Sequence, residues 1–302
     1  MASTLDVRQP RGTEEDVSRR LLESASTLSY DPLTEVDWDA PLPEDAHGMS
    51  PEWSTLYGTP LWDEMTEQQR VTLTRHEAGS IASTGIWFEM ILQQMMLRDQ
   101  YVKDVTDPEF QWSLTEIADE CRHSIMFARG CERMGVPAYY PKRATIEIAR
   151  AFKTLAAAEV AYGGILVAEE VLDVMQRDWM RDERVLPLVR TISNIHVVEE
   201  SRHMKFARQE IRERMQGVSV RRRHLSAFVI AATAFFIVGS MVNDRVYAAA
   251  GLDTERALRE ARDNSHHKAM MRSSCAHLMD FLSQSGLLTP PAIAIYKRVN
   301  ML

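Results

Sequence analysis

Residues 119–123 read DECRH and residues 199–203 read EESRH. Each is an acid, a Glu, a small thiol or hydroxyl residue, an Arg and a His. Each therefore carries Glu and His three positions apart, as Glu120 with His123 and Glu200 with His203. On an α-helix, positions i and i+3 share a face, so each pair can grip one ion. The copies lie 80 residues apart, and the fold follows from whether their surroundings repeat at that interval.

They do. Subtracting 80 from Glu169 gives Glu89, and the local text is IWFEMIL at 86–92 and LVAEEVL at 166–172. Both carboxylates are embedded in apolar residues, where an unpaired charge is costly to bury. Carboxylate-bridged dinuclear proteins of the four-helix-bundle type take Glu-x-x-His from two helices and a single Glu from each of the other two. Helix-period segments are expected at about 66–100, 109–135, 144–177, 184–215, 219–249 and 254–285, with breakers at Asp107-Pro108, from Gly135 to Pro141 and at Leu186-Pro187. No segment alternates in the manner of a strand. The reading is all-α: a ferritin-like four-helix bundle with additional flanking helices.

Helix 66–100 also offers Glu67 and Glu77, and 144–177 offers Glu147, Glu159 and Glu170. The common offset selects Glu89 and Glu169, and favours Glu169 over its neighbour Glu170. His196 precedes Glu200 by four and His203 by seven, so it shares their sector as a third imidazole or as a hydrogen-bonded neighbour. Its counterpart 80 positions earlier is Glu116, in an outer position or inert. Asp119 and Glu199 are the carboxylates to which metal-bound histidines would donate their other N–H. Arg122 and Arg202 either pair with these acids or form ordinary salt bridges. Cys121 faces another side of its helix. A carboxylate-rich set with imidazole and no thiolate suits iron or manganese rather than a zinc–cysteine site.

Net charge is −8, from 35 Lys+Arg against 43 Asp+Glu, which argues against nucleic acid as a partner, since phosphate binding needs cations. Three cysteines without close pairing, Cys121, Cys131 and Cys275, point to a reducing, cytoplasmic setting. The charged N-terminus lacks the apolar core of a signal peptide. Leu225 to Val242 is free of charge, but its Ser, Thr, Ala and Gly favour a helix wholly buried in the protein over a membrane span. Residues 1–60, rich in Pro and Asp, are expected to form an extended arm over a helical-bundle domain at 61–302.

With these residues in view, Glu89, Glu120-x-x-His123, Glu169 and His196-x-x-x-Glu200-x-x-His203 resemble the p-aminobenzoate N-oxygenase family of non-haem di-iron enzymes. STLYGTPLW at 54–62 echoes a stretch of that family, and the likeness extends over about residues 30–285. The resemblance implies two iron ions per chain, O2 as co-substrate, and catalysis through Glu89, Glu120, His123, Glu169, His196, Glu200 and His203. It implies a homodimer oxidising a small aryl amine, free or tethered to a carrier, through hydroxylamine and nitroso stages towards nitro. Electrons would come from an external reductase or ferredoxin, because the chain shows no flavin or iron–sulfur motif.

The alternatives are a di-iron hydroxylase or desaturase acting on carbon, and a non-catalytic ferritin-like iron-binding protein. A ribonucleotide reductase radical subunit would need a tyrosine near the ligands, where Tyr162 is the nearest in sequence. Phe88, Ile91, Leu92, Val160 and Ile165 either line a channel for a ring or pack the core. Arg272, Lys297 and Arg298 are available partners for a substrate carboxylate.

Overall fold

The computed structural model describes residues 12–156 and 158–302, with side chains from Val17 onward. What the sequence suggests for residues 1–11 lies outside the described residues. Regular structure among the described residues is helical, save one bridge between His47 and Val185. The helices are α1 (Gly12–Thr27), α2 (Pro32–Glu35), α3 (Pro60–Glu64), α4 (Glu67–Gln100), α5 (Pro108–Met134), α6 (Arg143–Leu155) and α7 (Glu159–Trp179). They continue with α8 (Pro187–Arg214), α9 (Val220–Val238), α10 (Arg245–Ala249), α11 (Thr254–Asp263), α12 (Ser265–Ser274), α13 (Ala276–Gln284) and α14 (Pro290–Arg298).

Local chemistry sets the ends of the long helices. Thr66 and Gln69 form a reciprocal capping box that opens α4. Asp107 accepts from the Glu109 N–H, and Pro108 occupies the first turn of α5, where its missing N–H costs nothing. Gly135, at φ 67°, closes α5 in the left-handed conformation. Pro187 opens α8.

Helix α4 packs along α5 and α7 along α8, and the two hairpins join through α5 with α8 and α4 with α7. This is the all-α, ferritin-like bundle, with its two hairpins matching the 80-residue repeat. Flanking helices dress it: α1 lies on α5 and α8, α6 on α4, α9 on α7, and α14 on α9. Gly163 lets α7 and α9 approach closely, since a Cβ there would stand 2.4 Å from Ile230 Cδ1.

Three expected segments are divided. The stretch 144–177 breaks between Leu155 and Glu159, with Ala158 at φ 52°. Tertiary contacts impose this break: Arg98 of α4 donates to the carbonyls of Lys153 and Thr154. On the other side, the buried Glu159 is held by Arg222 and Ser226. The stretch 219–249 becomes α9 and α10. The stretch 254–285 becomes α11, α12 and α13, where Asn264 caps α12 and also donates to the carbonyls of Thr55 and Tyr57.

The charge-free helix is not wholly buried. Ala227, Ile230, Ala231, Ala234 and Ile237 face the core, while Leu225 and Phe228 are 63% and 48% exposed. Packing on α7 and α14 leaves part of its surface open. Among the described residues, no helix is long and apolar enough to cross a membrane.

Candidate metal centre

The four bundle helices bring together the six repeat-derived residues and His196. Glu89 comes from α4, Glu120 and His123 from α5, Glu169 from α7, and His196, Glu200 and His203 from α8; all are buried. His123 Nδ1 lies 3.1 Å from Glu200 Oε1 and 3.6 Å from Glu120 Oε2. His203 Nδ1 lies 3.1 Å from both Glu120 Oε1 and Glu200 Oε1. His196 Nε2 is 3.5 Å from Glu200 and 4.0 Å from Glu89.

The histidines are oriented from behind. His123 Nε2 meets Glu199 Oε2 at 2.7 Å, and His203 Nε2 meets Asp119 Oδ2 at 3.3 Å. The support is crossed: α8 holds the histidine of α5, and α5 holds the histidine of α8. His196 Nδ1 is engaged by Gln176 Oε1 at 2.6 Å, which leaves Nε2 as the inward atom. Outer carboxylates of this kind set the tautomer and aim of metal-binding imidazoles. Arg122 pairs with Asp119, while Arg202 stands 3.7 Å from Asp119 and 3.6 Å from Glu199. The N-terminal segment completes the shell, as the Tyr30 N–H donates to Glu199 and Arg202 donates to the Leu28 carbonyl.

Several buried inward atoms have no hydrogen-bond partner: both oxygens of Glu120, Glu200 Oε2, Glu116 Oε2 and His123 Nδ1. Buried polar groups are nearly always satisfied, so this concentration of lone pairs marks a place for cations. Electrostatics agree. Burial, then the charge of Glu120, holds the Glu89 carboxyl well above its ordinary pKa. Burial and the charges of Glu200 and Glu120 do the same for Glu169. Burial lifts Glu116 to about 8 and lowers His196 to about 4. The carboxylates of Glu89, Glu120, Glu169 and Glu200 converge on this centre with charge that bound cations would balance. Iron or manganese fits this oxygen–imidazole donor set.

The inward atoms fall into overlapping trios within 4.8 Å: Glu89, His123 and His196; Glu169, His196 and Glu200; Glu120, His123 and Glu200; and Glu116, Glu120 and His203. Glu116 is thus closer to the centre than sequence reasoning placed it. Its signal was visible, since it occupies the repeat position of His196. Glu170 points elsewhere, its carboxylate 2.8 Å from Arg208 Nε. Cys121 is exposed and lies 3.6 Å from Gln93 Oε1. His266 is engaged by the Glu52 carbonyl.

A separate acidic trio, Asp99, Glu109 and Glu210, already has cations. Lys103 pairs with Glu109, and Arg214 with Asp99 and Glu210. That network ties α4, α5 and α8 together at one end of the bundle and has a structural role.

Beside Glu89, Glu169 and His196 is a small pocket of about 20 Å3, walled also by Phe88, Ala168 and Ile237. These three residues back onto a larger apolar cavity to which Ile91, Leu92 and Ile165 contribute, but Val160 does not.

The chain is similar to known proteins. The chain is 25% identical over 230 residues to a Mycobacterium tuberculosis protein named Uncharacterized protein MT0908, covering 74% of this chain and 67% of the relative. It is 27% identical over 203 residues to Uncharacterized protein Mb0909 of Mycobacterium bovis, covering 65% and 59%. This chain therefore spans about three-fifths to two-thirds of these relatives. The family model described as P-aminobenzoate N-oxygenase AurF matches residues 11–286. With that match over most of its length, and a buried Glu/His cluster able to bind metal at the centre of a helical bundle, the chain belongs to the AurF family.

Proposed function

We propose that this protein is an O2-dependent di-iron N-oxygenase that converts an aryl amine to its hydroxylamine and on towards nitroso and nitro products. The observation that carries the reading is the set of unpartnered, inward-facing donors on Glu120, Glu200 and His123, within a member of the AurF family. Glu89, Glu120, His123, Glu169, His196, Glu200 and His203 would hold two iron ions. Bound iron supplies one-electron chemistry with O2 that amino-acid side chains cannot perform.

The chain's own residues do the rest. Glu199 and Asp119 keep the Nε2 protons of His123 and His203 turned outward, so that both Nδ1 lone pairs face the centre. Gln176 does the same for His196 through Nδ1. Ser124 donates to Glu89 and fixes that carboxylate. Phe88, Phe127, Ala168 and Ile237 place apolar groups on the Glu89–Glu169 side, which lowers the local polarity and strengthens charge interactions there. Electrons come from an external reductase or ferredoxin, and the active unit is a homodimer.

The test is to load purified protein with ferrous iron without oxygen, admit 18O2 with an aryl amine, and analyse products by mass spectrometry. Hydroxylamine or nitroso products carrying 18O on nitrogen are expected. Exclusive oxidation of ring or side-chain carbon would replace this reading by that of a hydroxylase.

A further inference from the structure

The larger cavity, about 150 Å3, lies between α4, α6, α7 and α9. Its walls include Trp87, Phe88, Phe152, Ile165 and Phe236, and none of its lining residues is charged. The only side-chain hydroxyls are those of Thr145 and Thr233, and Thr233 Oγ1 donates to the Val229 carbonyl at 2.9 Å. An enclosed apolar cavity of about 150 Å3 accepts a benzene-sized molecule, and this partly open one has comparable volume. Phe88, Ala168 and Ile237 are shared with the small pocket walled by Glu89, Glu169 and His196. A ring in the cavity is therefore one side-chain layer from the metal-side carboxylates.

The approach is equally apolar. Helix α6 buries no residue fully, and the lining residue Ile148 is 44% exposed. Phe228 and Phe235, next in sequence to the lining residues Val229 and Phe236, are 48% and 36% exposed. Of the three cations of α6, Arg150 pairs with Glu147 at 2.9 Å and Lys153 with Gln94 at 2.7 Å, while Arg143 is exposed and does not line the cavity. Arg272, Lys297 and Arg298 do not line the cavity.

The geometry points to an uncharged arene as the occupant: the substrate is a neutral aryl amine with no anionic group on its buried ring, so 4-aminobenzoate is disfavoured. Burying a carboxylate there leaves it without a cation or N–H donor. An aryl amine suits the site because delocalisation of its lone pair into the ring keeps it uncharged at neutral pH, unlike an alkyl amine. The inference rests on the proposed N-oxygenase chemistry for the amine, while the preference for a neutral ring rests on the cavity alone.

The test measures binding without turnover. Purified full-length protein, held under argon, is titrated with 4-ethylaniline, 4-aminobenzoate and benzylamine. Thermal shift and the fluorescence of Trp87, isolated by comparison with Trp87→Phe, are the readouts. The expected result is at least tenfold tighter binding of 4-ethylaniline than of either charged ligand. Thr233→Arg, which adds a cation to the wall, should shift the preference towards 4-aminobenzoate by tenfold or more. Equal or tighter binding of 4-aminobenzoate by the unaltered protein overturns the inference, as does failure of 4-ethylaniline to bind. If 4-ethylaniline binds but, once O2 is admitted to iron-loaded protein, is oxidised only at carbon, the cavity assignment stands and the N-oxygenase reading falls.

Discussion

His123 on α5 and Glu199 on α8 meet at 2.7 Å, Nε2 to Oε2, with neither side chain exposed to solvent. This contact is distinct from the inward Nδ1 of the same ring, so it tests orientation apart from ligation. Glu199→Ala is expected to weaken iron binding by about 10- to 100-fold while the helical content stays intact. Competition with a chelator of known affinity, read alongside circular dichroism, checks both halves.

Carboxylates at the centre of the bundle and one turned away from it should behave oppositely. Glu120→Ala and Glu200→Ala remove central donors and are expected to lower the metal content well below that of the unaltered protein. Glu170→Ala, whose carboxylate serves Arg208, is expected to keep full content. Metal analysis of the three purified variants decides, and full occupancy in the first two would remove the ligand assignment.

Chelation should also cost stability, because an ion that binds the folded chain and not the unfolded one stabilises it by mass action. Stripping metal is expected to lower the melting temperature, with recovery on adding ferrous iron in the absence of oxygen.

Glu77 is buried on α4, several turns before Glu89. Burial lifts its pKa from 4.5 to about 7, against the lowering effect of hydrogen bonds from Thr55 and Ser54. Between those values the native chain holds a proton that the unfolded chain has released. Stability contributed by this group therefore falls as pH rises through that window and levels off above it. Glu77→Gln should flatten the slope and gain on the order of 2 kcal/mol relative to the unaltered protein between pH 5 and pH 8. Urea unfolding at both pH values measures it.

Arg214 is 2.7 Å from Asp99 and 2.6 Å from Glu210, with its side chain only 8% exposed. Removing one partner of a buried ion pair strands the others, so Arg214→Met is expected to destabilise the fold by about 3–5 kcal/mol. Arg150→Ala, which breaks the exposed pair with Glu147, should change stability by less than about 1 kcal/mol. Urea midpoints of the two variants compare them directly.

The bundle was legible because its chemistry is written twice. Glu89, Glu120 and His123 reappear 80 residues later as Glu169, Glu200 and His203, and Pro108, Gly135 and Pro187 mark helix ends by local rules. The break before Glu159 was not legible, since LAAAE carries no breaker and contacts from Arg98 and Arg222 impose it. Asn264 likewise ends one helix and starts another because its side chain is held by the carbonyls of Thr55 and Tyr57, over 200 residues away. The place of Glu116 followed from register, but its nearness to His203 required the bundle to be assembled. The apolar cavity depends on α6 and α9 meeting over α4 and α7, which no local pattern encodes.

The Tyr30 N–H and the Leu28 carbonyl, gripped by Glu199 and Arg202, make the N-terminal segment a participant in ligand orientation. Seating of that segment and loading of the centre are then thermodynamically linked: whatever favours one favours the other by the same factor. A protease cutting near residue 30 becomes a reporter of metal occupancy, cleaving the stripped protein faster than the loaded one.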